Sequence, residues 1–410
     1  MKTTIKLAVA SALVAAATSA NAGIIIPAGD WTLDISGNVN AFYSYNKGET
    51  SAGSAANSIG SIASLDDNAA GENKQTTITT GLLPNFLSFS GKTRQNDLDV
   101  GFTISIQPGT AQNRALNAGA GQQENRQAFF TFGDKSWGTI KAGRDLGIFA
   151  SAAILNDMTL LGVGGAGANA AGTTTLGGIG TGYIYADWKS QISYTTPNWN
   201  GFSVTAGVMQ AWNAIDGDVL ANVTNASTSK PGFEAQATYE FAGDVAGKVW
   251  AGAIYQKAQD LNGGTIVGFR DETARGFDVG ANVNVAGFGL TAYYYDGKGL
   301  GTTGFLVNAF SEDGKRRDSD GGYLQGTYTL PGVGTKLGLA YGVSKLDDNR
   351  ADAGLDLVKK NERWTVGAYH PLTKHLNLVA EYNRTSSESH LAGVKDSDND
   401  NFSLGGILFF

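Results

Sequence analysis

Asn401-Phe402-Ser403-Leu404-Gly405-Gly406-Ile407-Leu408-Phe409-Phe410 closes the chain. Phe402, Leu404, Gly406, Leu408 and Phe410 fall on one parity, with Ser403 and Gly405 on the other. A soluble protein hides or charges such an edge. In a barrel whose outer wall faces lipid, the same stretch is a closing strand with its terminal aromatic at the membrane interface. The reading that follows is an all-β transmembrane barrel.

The opposite end agrees. Lys2 and Lys6 precede an apolar stretch from Leu7 to Ala17, followed by Ala20-Asn21-Ala22. That order predicts a secretory signal peptide over residues 1–22, a cut before Gly23, and a single barrel domain over 23–410. The apolar stretch is too short to span a bilayer as a helix. Removing the two lysines takes the formal charge from −7 to −9. There is no cysteine, hence no disulfide framework. Gly 57 against Pro 7, with Tyr 15, Phe 19 and Trp 7, suits many strands and bends rather than a fibrous or disordered chain.

Period-two alternation recurs along the whole length. Trp31, Leu33, Ile35, Val39, Ala41, Tyr43 and Tyr45 are apolar, and between them lie Thr32, Asp34, Ser36, Asn38, Asn40 and Ser44. Phe42 is the exception. The same pattern appears at Leu98–Ile106, Phe202–Val208, Phe233–Phe241, Phe277–Val285, Leu337–Val343 and Leu376–Tyr382. Successive strand residues face opposite sides, so each segment is greasy on one side and wet on the other. The polar parity carries Asp34, Asp99, Glu234, Glu240, Asp278, Lys336 and Glu381, all candidates to face a lumen.

Connections alternate between short turns, such as Arg94–Asp97 and Ala286–Gly289, and long polar stretches, such as Lys47–Thr80, Asp145–Gly182 and Lys298–Asp320. Long loops on one rim and short turns on the other predict an antiparallel barrel of about sixteen strands, with loops extracellular and turns and both termini periplasmic. A barrel that wide keeps an aqueous lumen.

At Trp137-Gly138-Thr139-Ile140-Lys141-Ala142-Gly143-Arg144-Asp145-Leu146-Gly147 the chain resembles the trimeric general porins of Gram-negative outer membranes. In that family a strand ending in Gly-Arg-polar-x-Gly leads into a third loop that folds inward and carries Asp-Met, matched here by Asn156-Asp157-Met158. Asn125–Phe129, Gln191–Pro197 and Gly201–Ser203 also fit. The resemblance implies a homotrimer in contact with outer-membrane lipid and lipopolysaccharide, passing ions and small hydrophilic solutes. It places Arg144, Asp145, Asp157, Lys189 and Lys141 at a pore constriction. Two features depart from the family. Leu160–Gly165 replaces the usual Pro-Glu-Phe-Gly, and Phe86 and Asp187 stand where wall arginines are expected. Strict alternation groups Arg144 with Ile140 and Ala142 toward lipid, so it reaches the lumen only through a bulge at Gly143.

Asp145, Asp157 and the net acidity predict a mild cation preference. The glycines from Gly162 to Gly182 predict a wide or mobile eyelet. Other chemistry finds little support. Two G-x-G-x-x-G matches, at Gly162 and Gly299, open no helix, so neither a nucleotide cofactor nor nucleic acid is expected. His370, His375 and His390 accompany no serine elbow. Asp396, Asp398 and Asp400 approach a calcium loop without its glycine or distal Glu. Leu65–Asn68, repeated at Leu346–Asn349, and the sequons at Asn222 and Asn225 read as loop surface. The competing readings are a substrate-specific channel, using Phe42, Tyr293, Tyr295 and Tyr369, and an adhesin built on the same barrel.

Overall fold

The computed structural model describes residues 23–48, 54–63, 73–110, 123–168, 173–215, 229–261, 270–311 and 313–410. The expected signal peptide, Leu65–Asn68 and both sequons lie outside them. Antiparallel pairing runs from β2 (Trp31–Gly48) through β4 (Phe86–Gln95), β5 (Leu98–Pro108), β6 (Gln123–Asp134) and β7 (Gly138–Leu146). It continues through β10 (Trp188–Thr195), β11 (Phe202–Met209), β12 (Gly232–Phe241), β13 (Val245–Leu261), β14 (Arg270–Val285) and β15 (Phe288–Lys298). From there β16 (Asp318–Thr329), β17 (Lys336–Leu346), β18 (Val358–Pro371), β19 (Leu376–Ser389) and β20 (Ser397–Phe409) bring the sheet back to β2. The result is a closed barrel of sixteen staves.

Two staves are composite. The second is broken: β3 (Lys74–Thr79) pairs with one half of β2 and β4 with the other. Pro84, which has no N–H to give a ladder, lies in the gap. Asparagine side chains replace the missing backbone bonds. Asn40 Oδ1 accepts from Gly81 N at 2.8 Å, Asn85 Oδ1 accepts from Asn40 N at 2.6 Å, and Asn38 Nδ2 donates to Pro84 O at 2.9 Å. The sixteenth stave joins the two chain ends. Phe409 stands opposite Asn38 on β2, and the short strand β1 (Ile24–Ala28), unforeseen in the sequence, continues the same line with Ile24 opposite Ile35.

The alternation resolves into an apolar outside and a polar inside. Ile78, Val39, Ile192 and Leu324 are more than half exposed on the outer wall, a surface only lipid or another subunit accepts. On the inside, Thr365 Oγ1 donates to Asn383 Oδ1 (2.6 Å), Asn383 Nδ2 to Asn401 Oδ1 (3.2 Å), and Asn401 Nδ2 to Ser44 Oγ (2.7 Å) and Asn46 Oδ1 (2.8 Å). Four staves are thus tied side chain to side chain. Several strands run further than expected toward the loop rim. β13, with 17 residues, and β14, with 16, exceed the roughly 9–11 that a membrane crossing needs.

At that rim the segment between β15 and β16 is locked by a bidentate pair. Arg317 Nε and Nη2 donate to Asp352 at 3.0 and 2.7 Å, and Nη1 donates to Asn308 O at 3.0 Å. Neither side chain is exposed. Arg317→Met leaves the Asp352 carboxylate buried without its counter-charge, which costs about 3–5 kcal/mol. Limited proteolysis is expected to cut residues 299–317 in this variant while the barrel stays intact, and R317M/D352L to recover most of the protection.

Candidate functional site in the loop-crossed lumen

The described residues of 147–187, between β7 and β10, turn into the barrel because of what they are made of. Phe149, Ala152, Ala153, Ile154, Met158, Leu160 and Val163 are all buried there. A short helix, α1 (Ser151–Asn156), and a 3-10 turn (Met158–Leu161) carry most of them along the inner wall, and two short strands of the same loop, β8 (Gly165–Ala168) and β9 (Thr175–Gly177), pair with each other. Both elements are too short to hold themselves in water, so contact with the wall sets their shape.

The wall meets the loop with carboxylates. Glu234 Oε2 on β12 accepts from Ile148 N at 2.7 Å, Asp278 Oδ2 on β14 accepts from Ala150 N at 3.1 Å, and Glu381 Oε2 on β19 accepts from Val163 N and Gly164 N at 2.8 Å each. Neutral groups fill in between. Tyr323 OH donates to Ala153 O (2.8 Å), Gln325 Oε1 accepts from Met158 N (2.7 Å), and Ser344 Oγ accepts from Gly182 N (2.9 Å). On the far side Leu82 N donates to Gly162 O at 2.8 Å, so the loop reaches the broken stave. Two glycines make this approach possible. A Cβ on Gly162 would lie 2.0 Å from Glu381 Oε1, and one on Gly164, with φ +65°, 2.5 Å from Arg363 Nη1. The described part of the loop is fastened to the wall at each of these points.

Asp157 sits at the centre. Its Oδ1 caps the 3-10 turn by accepting from Thr159 N (2.9 Å) and Thr159 Oγ1 (2.8 Å), and its Oδ2 accepts from Tyr183 OH at 2.8 Å. Arg363 Nη2 lies 3.6 Å from the same oxygen. Arg363 escaped the sequence reading, although it shares the inward parity of Thr365 and Tyr369 on β18. Tyr369 OH donates to Glu381 Oε1 at 2.6 Å. In the returning limb of the loop, burial holds the Tyr183 hydroxyl well above its usual range, with Asp157 adding to the effect. Burial also pushes Tyr185 up to about 12 and raises Asp187.

The remaining candidates divide by face. Asp145 is buried and inward, accepting from Gln127 Nε2 (2.9 Å) and Lys141 Nζ (2.5 Å). Lys189 is buried against Glu234, and its ammonium lies 5.2 Å from the ring centres of Trp212 and Phe305. Asp34, Asp99 and Glu240 hold the inward parity nearer the turn rim. Lys336 stands 5.2 Å over the Tyr369 ring and lines a cavity of about 520 Å³ beneath the loop, with Asn156, Asn282 and Gln325. Phe42, Tyr293, Tyr295 and Tyr369 are all buried in the lumen, and Tyr293 packs against Trp250, Tyr295 and Tyr323 rather than standing alone.

One expectation is corrected. Arg144 faces outward: it pairs with Ala128 and Ser190 in unbroken register, Gly143 forms no bulge, and the side chain is exposed beside lipid-facing neighbours. Two carboxylates of the partial calcium loop, Asp396, Asp398 and Asp400, already have a partner. Asp398 and Asp400 both turn to Arg384, at 2.6 and 3.6 Å, and among the described residues no group of three or more His, Asp or Glu converges.

A family model described as Gram-negative porin matches residues 8–390. No curated protein sequence matches. Among solved structures, the outer membrane channel DcaP of Acinetobacter baumannii is similar at 17% identity and TM-score 0.68, over 94% of this chain and 99% of that one. The anion-selective porin from Comamonas acidovorans follows at 17% and 0.58, over 93% and 100%. Salmonella typhi OmpF in complex with daunomycin is similar at 16% and 0.59, over 94% and 100%.

Glu381→Gln preserves shape but replaces three hydrogen bonds to a charged acceptor with weaker ones, each originally worth about 1.5–3 kcal/mol. Hydrogen exchange at Val163 and Gly164 is expected to accelerate at least tenfold in this variant. Glu240→Gln, far from the loop, leaves those amides unchanged.

Proposed function

The chain belongs to the Gram-negative porin family, and from that premise we propose an outer-membrane pore whose loop-narrowed lumen passes ions and small hydrophilic solutes with a weak preference for cations. Family and fold point to a diffusion channel rather than an enzyme. The observation that carries the reading is the wall itself, apolar outside and polar inside around a lumen crossed by its own loop. Nothing in that arrangement calls for a binding step before passage.

The cation preference draws on the charges around the loop. Glu124, Asp145, Asp157, Glu234, Asp278 and Glu381 face Arg126, Lys141, Lys189 and Arg363. The acidic excess sits in a low-dielectric constriction, where a ring of charge biases ion entry. We assign Asp157, Asp145, Lys141 and Lys189 to the constriction and give Arg363 the place expected of Arg144. A homotrimer accords with the trimer form reported for OmpT of Vibrio cholerae. The short turns and both chain ends would face the periplasm and the long loops the exterior, once residues 1–22 are removed as a signal peptide. A substrate-specific channel is the second reading, favoured by the packed tyrosines Tyr293, Tyr295 and Tyr323 along the inner wall.

Planar-bilayer recording separates the two. Ohmic steps in threes, a reversal potential on the cation side and no saturation by sugars are expected of the diffusion pore. Block by a defined solute would favour the second reading. Asp157→Asn is expected to reduce cation preference, and deletion of Gly164–Gly180 to raise conductance. An unchanged conductance after the deletion would remove the loop from the conduction path.

A further inference from the structure

Asp34 carries an unanswered charge at the seam where the barrel closes. It lies on β2 at the inward parity, opposite Ile25 of β1 and Ser90 of β4. Its Oδ1 is buried and has no hydrogen-bond partner. Among the described residues no Lys, Arg or His forms an ion pair with it. Asp145, Asp157, Glu234, Asp278 and Glu381, around the loop, each have a donor, and a buried carboxylate oxygen without one is a place for a cation.

Gly23 supplies the position for it. A Cβ placed on Gly23 would lie 2.7 Å from Asp34 Oδ1, 3.0 Å from Oδ2 and 3.1 Å from Cγ. The carboxylate therefore lies beside the Gly23 α-carbon, and the Gly23 nitrogen is a single bond of about 1.46 Å from that carbon. A side chain at this position would have to displace the carboxylate. Gly23 is also the residue that follows Ala20-Asn21-Ala22, the small-x-small signal read from the sequence.

We propose that Asp34 is the receptor for the amino terminus created by processing. A peptidase of the export machinery hydrolyses the Ala22–Gly23 bond with one water. The hydroxyl goes to the Ala22 carbonyl, and the Gly23 nitrogen keeps its amide hydrogen, gains the other hydrogen of the water and takes the proton that the new carboxyl group releases, which leaves a carboxylate on Ala22 and an ammonium on Gly23. That ammonium pairs with Asp34. Before the cut the same nitrogen is a neutral amide. The pairing matters because β1 is exposed along all five residues and holds to the barrel only through β2. Processing would thus fasten the first strand beside the last and complete the composite stave.

The inference rests on the signal-peptide reading, so the first measurement is the mass of the exported protein: a chain starting at Gly23 is required, and any other start overturns both. With that start established, the α-amine of the folded outer-membrane protein is labelled with an amine-reactive reagent at pH 7. An ion-paired ammonium is expected to react at least tenfold more slowly than in Asp34→Asn, whose fold is checked by the heat-dependent gel shift. A second arm acetylates Gly23 chemically, which removes the charge without changing a side chain. Acetylated wild type and Asp34→Asn should unfold at the same lowered temperature, and the acetylated variant no lower. Equal labelling of wild type and Asp34→Asn, or additive losses, would overturn the pairing. The latter outcome would mean that the ammonium finds another partner, such as the Phe410 carboxylate.

Discussion

The lumen of this barrel is organised by one kind of interaction, a wall carboxylate accepting a backbone N–H from the third loop. Glu234, Asp278 and Glu381 stand on three separate staves, and each takes an amide that the loop's short helix and turns leave unpaired. A buried carboxylate without donors is costly, and so is a buried amide without an acceptor. Meeting each other, both are satisfied. Loop and wall therefore determine one another's geometry, and the inward acids that look like free pore charges are first of all fasteners.

That dual role bears on selectivity. A carboxylate held by two amides loses the freedom to follow an ion. Its field is fixed in direction and acts in a site of low dielectric. Asp157 is tied in the same manner by Thr159, Tyr183 and Arg363. Around the loop these ties make a fixed arrangement of opposed charges instead of a flexible acidic fringe.

Much of the fold was legible because period-two alternation is a backbone property that tertiary contacts seldom overturn. It placed Glu234, Asp278, Glu381 and Lys336 on the inner face, and it grouped Arg144 with the lipid-facing Ile140 and Ala142. The family motif argued for Arg144 in the lumen, and the plain periodicity was the better guide. Arg363 was legible by the same rule but sits in no motif, so nothing drew attention to it. Other features were beyond a local reading. The break at Pro84 is bridged by Asn38 and Asn40, more than forty residues earlier in the chain. The glycines of the third loop look like slack until Glu381 and Arg363 are seen against them. A residue's need for space depends on its neighbours across the barrel, and one chain read in order does not say who they are.

The composite stave has a consequence for the order of assembly. Ser44 and Ser403 touch across the closing seam although 359 positions separate them. The loop-closure entropy of that contact can be offset only when nearly every intervening hairpin is already paired. The seam is the longest-range contact in the molecule and the last available to a growing sheet. Until the final strand arrives, β2 offers a row of unpaired amides and carbonyls to whatever strand comes near. Closure is in this sense a proofreading step: a chain that stops short of its last aromatic residues keeps an open edge, and the edge itself marks it as unfinished.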